Sequence, residues 1–280
     1  MTFTTLIQPA DLQTLVDNNA VCLIDCRHDL ANPDAGRHAY AEGHLPAAHF
    51  LHLDKDLSGE KNGRNGRHPL PNPAQLAARL GMLGIRGGMQ VVAYDDSGGM
   101  FAARLWWLLR WLGHPQVAVL DGGMSAWRGA GLPLTQDIPA KNPLDFLYRI
   151  SLPTVSADDV LQSLSSSDSV LIDARAPDRF RGENETLDPV AGHIPGALNR
   201  FFRDNLAADG RFKPAAQLRA EFAELLQHRQ DRRIIQQCGS GVTACHNLLA
   251  MEIAGLSGSI LYPGSWSEWC SDPDRPMITG

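Results

Sequence analysis

Cysteine is scarce in this chain, with five residues among 280, an odd number that excludes a disulfide scaffold. The close pairs Cys22–Cys26 and Cys238–Cys245 lack the second matching pair that a zinc site needs, so free thiols in a reducing cytoplasm and no metal are expected. Excess basic charge is also missing. A net charge of −6 and a pI near 5.9 exclude a nucleic-acid or anionic-membrane surface. No apolar run reaches membrane-spanning length, since the most apolar stretch, Leu105–Leu112 (LWWLLRWL), is short and carries Arg110. The start MTFTTLIQPADLQ has neither the basic nor the apolar region of a signal peptide, so a cytoplasmic location is expected. What remains is 44% hydrophobic and 20% charged, a globular composition with length enough for two domains.

The chain alternates short β-rich runs with helical patterns. VCLID (Val21–Asp25), VVAYD (Val91–Asp95) and VAVLD (Val117–Asp121) alternate with AQLAARLGML, a Trp-rich segment and MSAWRGAG. Strands separated by helices predict an α/β fold, a mainly parallel sheet with helices on both faces. The second half then repeats the first. Leu23-Ile-Asp-Cys-Arg27 returns as Leu171-Ile-Asp-Ala-Arg175, and Gly43-His-Leu-Pro as Gly192-His-Ile-Pro. Val91–Ala102 matches Ile234–Ala244, and Asp121-Gly-Gly matches Pro263-Gly-Ser. Four matches in one order mark a tandem duplication. It divides the chain into residues 1–136, a Pro-punctuated linker at 137–153, and residues 154–280.

The stretch from Ile234 to Leu256 carries the chemistry. A strand-like run ends at Cys238, a Gly-Ser-Gly turn follows, and apolar residues resume at helical spacing (Val242, Cys245, Leu249, Ile253, Leu256). A thiol at a strand end, in a loop that opens a helix, sits among backbone N–H groups that favour a thiolate. The bland reading is a small buried hydrophobe. The duplication separates the two readings. Asp25/Asp173, Arg27/Arg175, His44/His193 and Pro46/Pro195 recur in both copies and are read as structural. Cys238 faces Asp95, so only the second copy can act covalently. Arg179 faces Ala31, His68 faces Phe212 and Asp54 faces Arg203, so the polar candidates are split between the copies. That split predicts a site in a cleft between them. Taken singly, Arg179 reads equally as a solvated charge beside Arg181, His68 as an idle loop histidine, and Asp54 as a turn cap. Cys245 is expected in the core and Cys270 at the surface.

These residues carry a resemblance. The LIDxR runs, both GH[IL]P motifs, RLWW (Arg104–Trp107), LDGG (Leu120–Gly123), GSWSEW (Gly264–Trp269) and the loop Cys238–Ala244 resemble the tandem-domain rhodanese-type sulfurtransferases. The resemblance implies two tandem rhodanese-like domains and a Cys238 persulfide held by the N–H groups of Gly239, Ser240, Gly241, Val242 and Thr243. It implies a relay of Ser240, His68 and Asp54, with Arg179 gripping the anionic group of the donor. The active loop is similar to that of 3-mercaptopyruvate enzymes. Its neutrality argues against doubly charged thiosulfate, for which a thiosulfate:cyanide enzyme of the same fold is the alternative. One departure is that Glu183–Pro189 has no second arginine. No cofactor is implied, the sulfur acceptor is expected to be cyanide or a thiol such as thioredoxin, and a monomer is expected. A cysteine phosphatase needs C-x5-R, whereas the sixth residue after Cys238 is Ala244. A non-catalytic sulfur-carrier or interaction module is the other rival.

Overall fold

The computed structural model describes residues 2–140, 142–227, 229 and 231–280. The chain forms two compact units, and sequence order does not divide them cleanly. The first unit comprises residues 1–59, 70–152 and 208–211, and the second 60–69, 153–207 and 212–280. The first contains β1 (Leu6–Ile7), α1 (Pro9–Asp17), β2 (Val21–Asp25), α2 (Ala35–Glu42), β3 (Ala48–Phe50), α3 (Pro73–Met82), β4 (Gln90–Tyr94), α4 (Ala102–Trp111), β5 (Val117–Leu120) and α5 (Gly123–Gly129). Its strands run β1-β5-β4-β2-β3, all paired in parallel. Every residue of β4 is buried, which is why QVVAY is an unbroken run and not an alternating one. Asn72 starts α3 by accepting the N–H groups of Ala74 and Gln75, with Pro73 at the first helical position. The core gathers Leu12, Leu23, Leu45, Val92, Tyr94, Leu120 and Trp127. Residues 137–152 count with this unit, and Arg149 and Ser151 donate their N–H groups to the carbonyls of Leu112 and Trp111.

The second unit contains α6 (Ala157–Ser163), β6 (Ser169–Asp173), α7 (Pro177–Arg181), β7 (Leu198–Asn199), a 3-10 turn (Phe202–Asn205), α8 (Ala215–Leu226), β8 (Arg233–Gln237), α9 (Thr243–Ile253), β9 (Ile260–Leu261) and α10 (Ser265–Trp269). Its parallel sheet runs β7-β6-β8-β9. The counterpart of β1 shrinks to one parallel bridge, Thr154 to Leu261. Ser156 and Asp159 form a reciprocal capping box that starts α6. The core holds Val160, Ile194, Ile235, Tyr262, Trp266 and Trp269. No helix among the described residues is long and apolar enough to cross a membrane.

The Asp, Arg and His residues common to both copies make the same contacts in each. Arg27 pairs with Asp25 and donates to the Gly43 carbonyl at 2.8 Å, and Arg175 does the same with Asp173 and Gly192. His44 stacks on Tyr40 and bonds its carbonyl at 2.8 Å, as His193 does with Phe180. Sheet register also fixes the key equivalence. Asp25 pairs with Tyr94 and Asp173 with Gln237, so Asp95 and Cys238 are each the first residue beyond the matching strand.

Two expectations need correction. Cys270 is buried beside Trp269, because the residues after α10 fold back and Trp269 Nε1 donates to the Pro276 carbonyl. Burial pushes its thiol up to about 11. And α9 does not present one apolar face. It is buried on all sides from Thr243 to Met251, with His246 and Asn247 held by the side chain of Asn205.

Candidate active site

β8 carries the chain into the interior and releases it at Cys238, which is 1% exposed. The loop Gly239–Val242 then turns sharply into α9. Gly241 has φ +78°, and a Cβ there would lie 2.3 Å from the Pro263 carbonyl oxygen, so the turn requires glycine. That conformation aims the Gly241 N–H at Cys238 Sγ, 3.1 Å away. The Cys245 thiol donates to the Gly241 carbonyl at 3.3 Å and braces the same residue from the other side. The Cys238 N–H donates to Ser265 Oγ at 3.1 Å, and the Cys238 carbonyl accepts from Trp266 N–H at 2.9 Å. The sulfur thus stands at the N-terminal end of an eleven-residue helix, where peptide dipoles favour an anion.

The segment Glu60–Pro69 belongs in sequence to the first repeat but packs with the second unit. It is anchored by the Arg67 N–H on Ser267 Oγ at 3.0 Å. His68 therefore reaches the active loop. Its Nδ1 lies 2.7 Å from Ser240 Oγ, with both side chains buried. An exposed, idle histidine is excluded.

Two guanidinium groups meet at Gly239. A Cβ at that position would lie 2.9 Å from Arg67 Nη2 and 3.6 Å from both terminal nitrogens of Arg179. Each is met by a carboxylate. Glu185 takes Arg179 through both oxygens, with Nη2 at 2.8 Å from each. Asp188 bridges the pair, one oxygen on Arg67 Nη1 and the other 3.4 Å from Arg179 Nη2. Behind them Arg175 lies over the Trp266 ring at 4.7 Å and 3.5 Å from Glu185. Burial works against its charge, but Asp173, then Glu185 and the Cys238 sulfur, hold its pKa above the usual value. The two acids respond differently to burial. Glu185 is held below the usual range because Arg179 and the N–H groups of Leu187 and Asp188 outweigh desolvation. Asp188 is raised, because desolvation and the neighbouring Glu185 outweigh Arg67 and Arg179.

The rhodanese-like domain matches residues 8–130 and again 156–272. The chain is 48% identical over 278 residues to a probable 3-mercaptopyruvate sulfurtransferase of Pseudomonas aeruginosa, covering 98% of each chain. It is 35% identical over 249 residues to the thiosulfate sulfurtransferase of Mus musculus, covering 83% of this chain and 79% of the other. SseA from Escherichia coli, given as a 3-mercaptopyruvate sulfotransferase, superposes with a TM-score of 0.81 at 30% identity, covering 94% of this chain and 99% of that one. The chain belongs to the rhodanese-like family, as a tandem-domain sulfurtransferase.

Of the sequence candidates, the sulfurtransferase brings Cys238, Ser240, His68 and Arg179 together in its second unit. Asp54 belongs to the first. There its Oδ2 lies 3.8 Å from His28 Nε2, and its N–H donates to His52 Nδ1 at 3.0 Å. Among the described residues, His28, His52 and Asp54 form the group whose donor atoms come within 4.8 Å of one another. With Nδ1 engaged as an acceptor, the neutral His52 ring carries its hydrogen on Nε2, where a metal would need a lone pair. That donor set fits a metal poorly. Sequence reasoning missed Arg67, Glu185 and Asp188. The one available signal for Arg67 was its position next to His68.

Proposed function

We propose that this sulfurtransferase takes sulfur from 3-mercaptopyruvate onto Cys238 and passes it to a thiol or to cyanide. The Gly241 N–H on the Cys238 sulfur, in a loop with no charged side chain, carries this reading. The Cys238 thiolate attacks the donor sulfur, forming an S–S bond while the donor C–S bond breaks. The electron pair stays on carbon as pyruvate enolate, which becomes pyruvate on taking a proton. An acceptor thiolate then attacks the outer sulfur, leaves as a persulfide and returns Cys238 as thiolate.

Ser240 and His68, 2.7 Å apart, supply the proton to the enolate, with Asp54 as the orienting carboxylate on the strength of the family resemblance. The donor carboxylate is read by Arg179. Arg67, beside Arg179 at Gly239, supplies the second guanidinium that Glu183–Pro189 lacks. This removes the sequence objection to a carboxylate donor. No charged group in the protein need change for thiosulfate to be tried, and its leaving group, sulfite, needs no proton. The two donors therefore give a discriminating test. Ser240→Ala should lower kcat with mercaptopyruvate by about 10²- to 10⁴-fold while thiosulfate turnover changes little. An equal loss with both donors would remove Ser240 from the proton path. A cytoplasmic monomer using thioredoxin as thiol acceptor completes the reading.

A further inference from the structure

The geometry points to Asp188, supported by Glu185, as the residue that makes this site select singly charged donors over doubly charged ones. The inference rests on the reading of Arg179 and Arg67 as the donor-binding pair. Asp188 lies between the two arginines that a donor carboxylate would engage, one oxygen to each guanidinium. Its side chain is 2% exposed and that of Glu185 is 1% exposed, so neither charge is screened by solvent. Around the sulfur the formal charges cancel. Arg67, Arg175 and Arg179 supply three positive charges, and Asp173, Glu185 and Asp188 supply three negative ones. The attacking thiolate then makes the site negative. A monoanion can share Arg67 and Arg179 with Asp188, whereas a dianion such as thiosulfate brings a second charge that these three ion-paired arginines do not balance.

A second feature points the same way. The stretch Glu183–Pro189 contains no arginine and delivers both carboxylates. The Leu187 and Asp188 N–H groups fold back onto Glu185 Oε1 at 2.8 and 3.1 Å, so the turn is built to hold that acid inward. Arg67 and Arg179 are thus paired by carboxylates of one turn, which limits how much further anionic charge a donor can bring.

The test compares wild type with Asp188→Asn and Glu185→Gln. The ratio of kcat/KM for thiosulfate to that for mercaptopyruvate should rise about tenfold in Asp188→Asn, since one unscreened unit charge is removed within a few ångströms of the donor. Glu185→Gln should move the ratio in the same direction. Binding of sulfate and of pyruvate is measured in parallel by calorimetry on a Cys238→Ser background, with and without Asp188→Asn. Thermal melts confirm that each variant is folded. Sulfate affinity should gain more than pyruvate affinity. If both donors, and both unreactive anions, shift in parallel in the folded variants, the selectivity inference is overturned. Absence of wild-type turnover with mercaptopyruvate would strike the proposed donor, while the sulfate-to-pyruvate comparison would still decide the role of Asp188.

Discussion

The loops after β4 and β8 start from the same place in their sheets and wrap different acceptors. After β4 the buried carboxylate of Asp95 accepts the N–H groups of Ser97, Gly99, Phe101 and Ala102 at 2.8–2.9 Å. After β8 the Cys238 sulfur takes the Gly241 N–H. The carbonyls of both residues accept an N–H from α5 or α10, Met124 onto Asp95 and Trp266 onto Cys238, at 2.9 Å each. The loop to α4 has six residues, 96–101, and the loop to α9 has four, 239–242. The fold therefore aims backbone N–H groups at a side-chain acceptor in either copy. In the first copy the acceptor is a carboxylate that fills the turn, and in the second it is a single sulfur atom. A backbone detail follows the same split. Gly123 and Ser265 share φ +54°, natural for glycine and strained for serine. Serine stands at the strained position because its Oγ accepts the Cys238 N–H and donates to the Tyr262 carbonyl.

The contrast can be broken from either side. The largest effect is expected from Asp95→Ala, which strips the acceptor from four N–H groups, three of them buried, and should destabilise the protein by about 3–5 kcal/mol. Denaturant unfolding would check it, and specific activity of the folded fraction should hold. A milder loss, with activity gone, would mean that the first loop takes part in turnover. Gly241→Ala should cost about 1–3 kcal/mol, because alanine at that φ also meets Pro263, and should slow cysteine alkylation as the N–H swings off the sulfur. Unchanged alkylation would show that Gly241 does not hold the thiolate. The smallest change is Ser265→Ala. It keeps the strain and orphans the Cys238 N–H, for a loss of about 1–2 kcal/mol in thermal stability.

Much of this was legible in the chain. The strand runs VCLID and VAVLD form β2 and β5 almost to the residue, and duplicated Asp-x-Arg and Gly-His pairs declare their structural roles by recurring. Cys238 was readable because the first copy has Asp95 at the matching position, and Ser240 because the resemblance gives it a role. Less legible was the path of Glu60–Pro69. Its Gly- and Asn-rich composition marks a loop, but nothing local says that it packs with the second unit and brings Arg67 to Gly239. The acidic turn Glu183–Pro189 was equally opaque. Glu185 and Asp188 look like solvent charges in sequence, and only their ion pairs with Arg179 and Arg67 make burial tolerable. Cys270 misled for the same reason, since a terminal position says little about a chain that folds back.

The central claim is that the second loop holds a reactive sulfur where the first holds a fixed carboxylate. Intact-protein mass spectrometry after exposure to 3-mercaptopyruvate tests it most directly. Wild type should gain one sulfur atom that a thiol acceptor removes, and Cys238→Ser should gain none. The same removable sulfur on the Cys238→Ser protein would contradict the account.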